Sequence, residues 1–396
     1  MEMEYERIKE HILKIAAIGA HADGATNREF GTENFKLGQK AIVEYFQECG
    51  METFVDSADN VHGILSCEDP NAGEIWMGSH IDTVNHGGPF DGLLGVVTAA
   101  EVIRDIKNSG VKLTKTLHLI GTNGEEGNDM GGTFGSRAMM GMLPLKDEKY
   151  LALGKTFGYS KEDLENAVMD TAKAECWIEL HIEQGPTLDK YGEQIGIVTG
   201  IVGLRRFKIT VKGHSNHAGT TMMEDRKDAL VAASKLILMG DELARNMGHH
   251  FVETVGLFQI HPASVAVIPD RVEMVLEIRN QDEALMDRYM KEYLEQAEKL
   301  ADFEIEPVVR KAPIQCDPKL MELTEAVCKE KKISYRIMPS GATHDGNAMA
   351  MKMPVGMIFV PSVGGISHDK EEWTEWKDIY TGAEVLKGVL LKMAVI

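Results

Sequence analysis

Apolar residues recur at helical spacing over residues 4–19, at Ile8, Ile12, Leu13, Ile15 and Ala16, and that period predicts an amphipathic helix. After the turn-rich break Gly24-Ala-Thr-Asn-Arg-Glu-Phe-Gly, residues 33–50 repeat the pattern and stop at Gly50. Met51-Glu-Thr-Phe-Val-Asp alternates like a strand, and Asn60-Val-His-Gly-Ile-Leu-Ser resembles another. Ile75-Trp-Met-Gly is a short unbroken apolar run, the pattern of a buried strand. Residues 93–108 predict a helix closed by Ser109-Gly110, and Leu117-His-Leu-Ile-Gly-Thr a further strand. Cys176-Trp-Ile-Glu-Leu-His and Val355-Gly-Met-Ile-Phe-Val add two more. Strands alternating with helices predict an α/β sheet covered by helices on its faces.

Between residues 206 and 312 the order changes. Arg206-Phe-Lys-Ile-Thr-Val-Lys reads as a strand, residues 226–247 as a long helix, and residues 252–260 and 271–279 as alternating strands. A second long helix over 282–302 and a strand over 303–309 follow. Strand-helix-strand-strand-helix-strand is the split βαβ order. The expected layout is therefore one domain built from residues 1–205 and 313–396, with an inserted α+β domain at 206–312. No internal repeat or low-complexity tract interrupts it.

The apolar runs of the first domain share a property. Ile75–Gly78 opens into Gly78-Ser-His-Ile-Asp-Thr-Val-Asn-His-Gly-Gly-Pro-Phe-Asp-Gly, which presents His80, Asp82, His86 and Asp91. The strand ending at Thr122 runs into Asn123-Gly-Glu-Glu-Gly, with Glu125 and Glu126 side by side. The other two deliver His181 and, after Pro-Ser-Val-Gly-Gly-Ile-Ser, His368. Alone, a His-x-Asp pair could cap a strand end, and paired glutamates could be a solvated turn. Four strand exits that each deliver a His, Asp or Glu point instead to a divalent metal site, since open α/β sheets bind ligands outside the carboxyl ends of their strands. Adjacent carboxylates repel, but they suit a site where one binds a cation and its neighbour faces a bound water.

Composition narrows the class. At 396 residues, 43% apolar and 26% charged, the chain is an ordinary globular protein large enough for two domains. Its net charge of −20, with no basic block, argues against nucleic acid or an anionic membrane as partner. Met1-Glu-Met-Glu-Tyr-Glu-Arg lacks the basic start and apolar core of a signal peptide, and no apolar run reaches membrane-spanning length. Cys49, Cys67, Cys176, Cys316 and Cys328 are odd in number and scattered, which fits reduced thiols in the cytoplasm.

Several motifs together resemble the M20 family of metal-dependent amidohydrolases almost end to end. They are Gly78-Ser-His-Ile-Asp-Thr-Val, Gly87-Gly-Pro-Phe-Asp-Gly, Glu125-Glu-Gly, His181-Ile-Glu-Gln-Gly-Pro, His217-Ala-Gly-Thr-Thr, His344-Asp and Gly364-Gly-Ile-Ser-His. The His181 motif is similar to the branch of N-carbamoyl-L-amino acid amidohydrolases, ureidopropionases and allantoate amidohydrolases. The resemblance implies a mixed-sheet, zinc-peptidase-like catalytic domain and an inserted βαββαβ lid and dimerisation domain. It implies two divalent ions, zinc or manganese, with cobalt or nickel also suited to the donors. Asp91 would bridge them, His80 and His181 would complete one ion, and Glu126 and His368 the other. Glu125 would be the general base, and Asp82 would orient the His80 ring. Gln184, His217 and His344 would contact the substrate, His217 also as a transition-state donor, and Arg279 would clamp its carboxylate. For Arg279 a salt bridge within the lid is the alternative, and for His217 a turn residue.

The implied reaction cleaves the carbamoyl C–N bond of an N-carbamoyl-L-amino acid or similar ureido acid, giving the amine, carbon dioxide and ammonia. The alternatives are allantoate hydrolysis, an aminoacylase or metallopeptidase of the same fold, and a non-catalytic binder, which would have no use for Glu125. A homodimer through the lid domain is implied as well. The chain departs from its relatives at Ala266, where they carry Asn, and at Asn128-Asp-Met, where they carry a small residue and Arg-Phe. Both departures fall in the expected substrate pocket.

Overall fold

The computed structural model describes residues 4–248 and 250–395, so Met1-Glu-Met at the start read as leaderless lies outside it. The chain divides into two compact units, Met1–Thr199 with Gln315–Ile396, and Gly200–Ile314. The breaks fall a few residues from 205/206 and 312/313, because one strand already enters the second unit at Gly203 and a short one leaves it at Gln315.

Among the described residues, six strands precede the second unit: β1 (Glu52–Val55), β2 (Val61–Leu65), β3 (Glu74–His80), β4 (Thr116–Thr122), β5 (Ala174–Ile182) and β6 (Ile195–Ile201). The second unit contributes β7 (Gly203–Lys212), β8 (Val252–His261), β9 (Arg271–Asn280) and β10 (Asp302–Lys311). The chain then returns with β11 (Ile314–Gln315), β12 (Tyr335–Ser340) and β13 (Val355–Val360).

The first unit is built on a mixed sheet in the order β1-β2-β4-β3-β5-β13-β6-β11, with β12 added on β6. Its centre, β4-β3-β5-β13, is parallel, while β1, β2 and β6 join antiparallel. Parallel strands place all their carboxyl ends on one edge. The register sets His80 level with Thr122 and His181 level with Phe359, so the residues that follow these strands emerge together.

Strands β3 and β13 are buried almost throughout, as a sheet covered on both faces requires. Side chains alternate along β5. Ile178, Leu180 and Ile182 join the main core with helices Tyr5–Ala16, Leu93–Ser109 and Trp376–Ala394. Glu179 and His181 turn to the opposite face, where Glu179 accepts the backbone N–H of Gly346 at 3.2 Å. Helix Leu93–Ser109 comes close enough that a Cβ on Gly95 would lie 2.1 Å from the Leu180 carbonyl oxygen.

The second unit is an antiparallel sheet, β10-β7-β9-β8, in the βαββαβ order. Alternate residues of β9 are buried, and Val272, Met274, Leu276 and Ile278 share a core with helices Ala229–Asn246 and Glu283–Ala297. Asp228 and Asp282 cap those helices by accepting two backbone N–H groups each. The second helix ends at Ala297 rather than 302, since the chain must turn to enter β10 at Asp302.

Candidate metal centre

His80 is the last residue of β3, and the loop after it returns as Asp91 and Gly92 at the start of helix Leu93–Ser109. Gly92 has φ +65°, and a Cβ there would lie 2.5 Å from the His80 ring, so glycine is what lets Asp91 reach the imidazole. Buried Asp91 gathers three histidines. Its Oδ1 is 3.2 Å from His181 Nε2 and 3.6 Å from His80 Nε2, and its Oδ2 is 3.1 Å from His368 Nε2. His368 Nε2 is also 3.4 Å from Glu126 Oε1.

The far sides of two rings fix their protonation. His80 Nδ1 donates to the Asp82 backbone carbonyl at 3.0 Å, and His181 Nδ1 to the Ile182 carbonyl at 2.9 Å. A carbonyl only accepts, so Nδ1 carries a proton and Nε2 is the nitrogen turned toward Asp91. Three imidazole nitrogens converging on one carboxylate call for positive charge among them, on a metal ion or on ring protons. Asp91 Oδ1, His181 Nε2 and Glu126 Oε1 are buried without a hydrogen-bond partner, a costly state for polar atoms. The ligand atoms of His80, Asp91 and His181 lie within 4.8 Å of one another, as do those of Asp91, Glu126 and His368. Two donor triads sharing one carboxylate fit divalent ions of the kind that take imidazole and carboxylate. Two further groupings meet the same distance: His80 with Glu125 and Glu126, and Glu179 with His181 and His344. In the latter, the Glu179 oxygens are already taken by Ser79, Trp177 and Gly346.

Burial pulls the His80 imidazole down, but its contact with Asp91 and the charges of Glu125 and Asp82 outweigh it and hold the pKa well above the usual value. Burial would raise Asp91, yet the three histidines hold it well below the ordinary carboxylate range. Burial, then Asp91, push Glu126 up to about 7. Glu125 is raised well above its ordinary value by burial, against His80 and with the repulsion of Glu126, Asp345 and Asp82. Its Oε1 also lacks a partner.

Asp82 turns its carboxylate away from the imidazole. Its Oδ1 accepts the Glu125 N–H and its Oδ2 the Glu126 N–H, each at 3.1 Å, while Oδ1 is 3.8 Å from His80 Nδ1. The His80 ring is thus held by the Asp82 main chain, and the Asp82 side chain holds the glutamate turn.

Gln184 lies at the centre itself. Its Nε2 is 3.0 Å from Asp91 Oδ2 and 3.3 Å from His368 Nε2. Gln184 and His368 both sit in the left-handed region, at φ +57° and +58°, the strained backbone that clusters at functional sites. His344 is 1% exposed, bonded to Ser340 Oγ at 2.9 Å and edge-on to the His181 ring at 4.5 Å. His217 and Arg279 belong to the second unit. There His217 is exposed and accepts the Gly219 N–H on Nδ1 at 3.0 Å, and Arg279 donates to Glu277 at 2.7 Å.

Sequence reasoning missed Glu372. This buried carboxylate accepts the Phe90 and Asp91 N–H groups on Oε1, both at 3.0 Å, and the Ser367 hydroxyl on Oε2 at 2.9 Å. It ties the loop that carries Asp91 to the loop that carries His368. It also missed Glu179, whose signal was a charged residue inside an otherwise apolar run.

Comparison with known proteins gives the family. Residues 76–392 match the model of peptidase family M20/M25/M40. The N-carbamoyl-L-amino acid amidohydrolase of Geobacillus stearothermophilus is 34% identical over 98% of both chains. The allantoate amidohydrolase of Bacillus subtilis is 33% identical over 98% of this chain and 97% of its own. A hydantoinase/carbamoylase family amidase from Burkholderia multivorans superposes with a TM-score of 0.91 at 30% identity, over 99% of this chain and 98% of its own. With the fold, the donor set and these full-length likenesses in agreement, the chain belongs to the M20 family of metal-dependent hydrolases.

Proposed function

We propose that the chain hydrolyses the carbamoyl C–N bond of an N-carbamoyl-L-amino acid or a related ureido acid, releasing the amine, carbon dioxide and ammonia. The observation that carries this reading is Glu125, a buried carboxylate with an unpartnered oxygen, standing beside two donor triads without being needed in either. His80, Asp91 and His181 would hold one divalent ion, and Asp91, Glu126 and His368 a second, with zinc or manganese the first choices and cobalt or nickel also suited. Such ions polarise a carbonyl and acidify water.

The protein's own groups do the rest. Glu125 takes a proton from the attacking water and passes it to the leaving nitrogen. Asp82 fixes where that carboxylate stands, through the Glu125 and Glu126 amides. Gln184 has its Oε1 unpartnered, leaving an acceptor for a ureido N–H. His344 sits behind His181, and we assign it to the carbamoyl end of the pocket. The assignments of His217 as a transition-state donor and Arg279 as a carboxylate clamp rest on the family resemblance.

We infer a homodimer through the second unit, where β8 pairs only with β9 among the described residues and leaves an edge open; light scattering should report about twice 43.8 kDa. All five cysteines are free and four are buried, as suits the cytoplasm. No helix of the described residues is long and apolar enough to cross a membrane.

The test is ammonia release after reconstitution with zinc or manganese, across N-carbamoyl-L-amino acids, 3-ureidopropionate, allantoate, N-acetyl amino acids and dipeptides. Ammonia from a ureido amino acid is expected. Ammonia from allantoate alone would select the reaction for which the Bacillus subtilis relative is named. Amine from acyl or peptidyl substrates without ureide turnover would overturn the proposal.

A further inference from the structure

A cavity of about 350 Å³ opens beside the metal centre within the first unit. That volume is in the range of small-molecule pockets. Glu126, a proposed ligand, forms part of its wall, and Oε1 of that 8% exposed side chain has no hydrogen-bond partner. A molecule reacting at the centre therefore has this space next to it.

The rest of the lining has a definite chemistry. Phe30 and Phe157 supply an aromatic surface, their rings 4.9 Å apart at 53°. That wall is built in. Gly31 has φ +74°, and a Cβ there would lie 2.7 Å from the Phe157 ring, while Phe30 packs edge-on against Phe134 at 5.1 Å. Around the aromatic pair stand Glu29 and Asp129, with Asn85 donating to Glu29 at 3.3 Å. No Lys or Arg lines the cavity. Among the described residues, neither Glu29 nor Asp129 is paired with a cation, although acids elsewhere on the surface are, Glu68 with Lys112 and Asp241 with Arg245 for example.

Carboxylates beside aromatic faces are what a guanidinium or ammonium needs. The carboxylates supply charge-assisted hydrogen bonds, and the ring faces attract the cation through their quadrupole. A neutral apolar group would satisfy the rings and strand the carboxylates. An anionic group would meet Glu29 and Asp129 together.

We propose that this cavity holds the variable substituent of the substrate and selects a cationic one, a guanidinium or ammonium on a short aliphatic chain. The proposal rests on the ureido-acid reading above and names the kind of ureido acid: one derived from a basic amino acid.

The test compares kcat/KM of the metal-loaded protein for N-carbamoyl-L-arginine, N-carbamoyl-L-leucine and N-carbamoyl-L-glutamate. The basic substrate should exceed leucine at least tenfold, with glutamate lowest. Asp129→Lys should reduce the arginine-to-leucine ratio at least tenfold, with Asp129→Asn falling between. Circular dichroism establishes that each variant is folded. A ratio within threefold of unity, or one that Asp129→Lys leaves in place, overturns the proposal while leaving ureide hydrolysis intact. If no ureide is cleaved, the functional reading fails by itself, and binding decides the cavity. L-Arginine should then raise the melting temperature of the wild type more than L-leucine does, and should lose that advantage in Asp129→Lys. Equal shifts would overturn the cavity assignment as well.

Discussion

Asp82 Oδ1 accepts the backbone N–H of Glu125 at 3.1 Å, so a residue two positions from a proposed histidine ligand sets where the proposed base stands. The companion bond to Glu126 makes the carboxylate a two-point clamp on the glutamate turn. Asparagine in its place would turn an NH2 group toward one of those amides, and a buried donor left facing a donor costs about 1–3 kcal/mol. Asp82→Asn should therefore lower the melting temperature and kcat together. Metal content should hold, because the His80 ring hangs on the residue-82 carbonyl, which the substitution keeps. Metal loss with an unchanged melting temperature would instead favour a direct orienting role for the carboxylate.

Glu125→Gln changes one oxygen for an amide and removes the only proposed proton carrier. General-base contributions run at roughly 10²–10⁴-fold, so kcat should fall in that range while elemental analysis finds the wild-type metal content. Retained turnover would remove Glu125 from its role.

His368 is the one proposed ligand on an exposed loop, with 49% of its side chain accessible, whereas His80 is 2% accessible. His368→Ala should cost little stability and release one of the two proposed ions, the one shared with Glu126. His80→Ala should lose metal and also lower the melting temperature, since it empties buried space. Unchanged metal stoichiometry in both variants would refute the ligand assignment.

Glu372→Ala strips the Phe90 and Asp91 amides and the Ser367 hydroxyl of one shared acceptor. Metal content should fall although no ligand has been touched, and the melting temperature with it. Glu372→Gln keeps an acceptor oxygen for the two amides and should recover most of both. A glutamine variant as damaged as the alanine one would mean that charge, rather than the amide contacts, is what matters.

The contrast between Glu372 and the residues at the strand exits shows what a sequence can disclose. His80, Glu125, Glu126 and His181 follow or end apolar runs, and a parallel sheet turns that one-dimensional property into one place in space. Glu372 stands in Asp369-Lys-Glu-Glu, which reads as a solvated charged turn. Its meaning lies in contacts with residues more than 280 positions away. Asp82 was legible as a residue of the site, but the direction of its carboxylate was not, because His80 stands two positions away and the amides it accepts stand 43 and 44 away. Short helices such as Phe134–Met139 and Lys161–Asn166 escaped for another reason: six residues show too little of the 3.6-residue period, and the second is set by the Ser160–Asp163 capping box. The long helices and alternating strands of the second unit were legible because each packs one apolar face on the core, partly buried in β8 and β10.

Glu253 carries a prediction independent of the metal. This half-buried side chain lies over Gly240, where a Cβ would come 2.9 Å from its Oε1 and 3.1 Å from the Tyr289 hydroxyl. Burial, with Asp241 adding repulsion and contact with Tyr289 opposing, pushes its carboxyl up to about 7. In the unfolded chain the group titrates near 4.5, so between those values the native state keeps a proton that the unfolded state releases. Stability then falls as pH rises through that window and levels off above it. Glu253→Gln removes this dependence. The melting temperature of the variant relative to wild type should climb from pH 4.5 to 7 and stay flat from there to pH 8. A difference that does not change with pH would mean that the native carboxylate carries no penalty for its charge, and that its surroundings solvate it as well as water does.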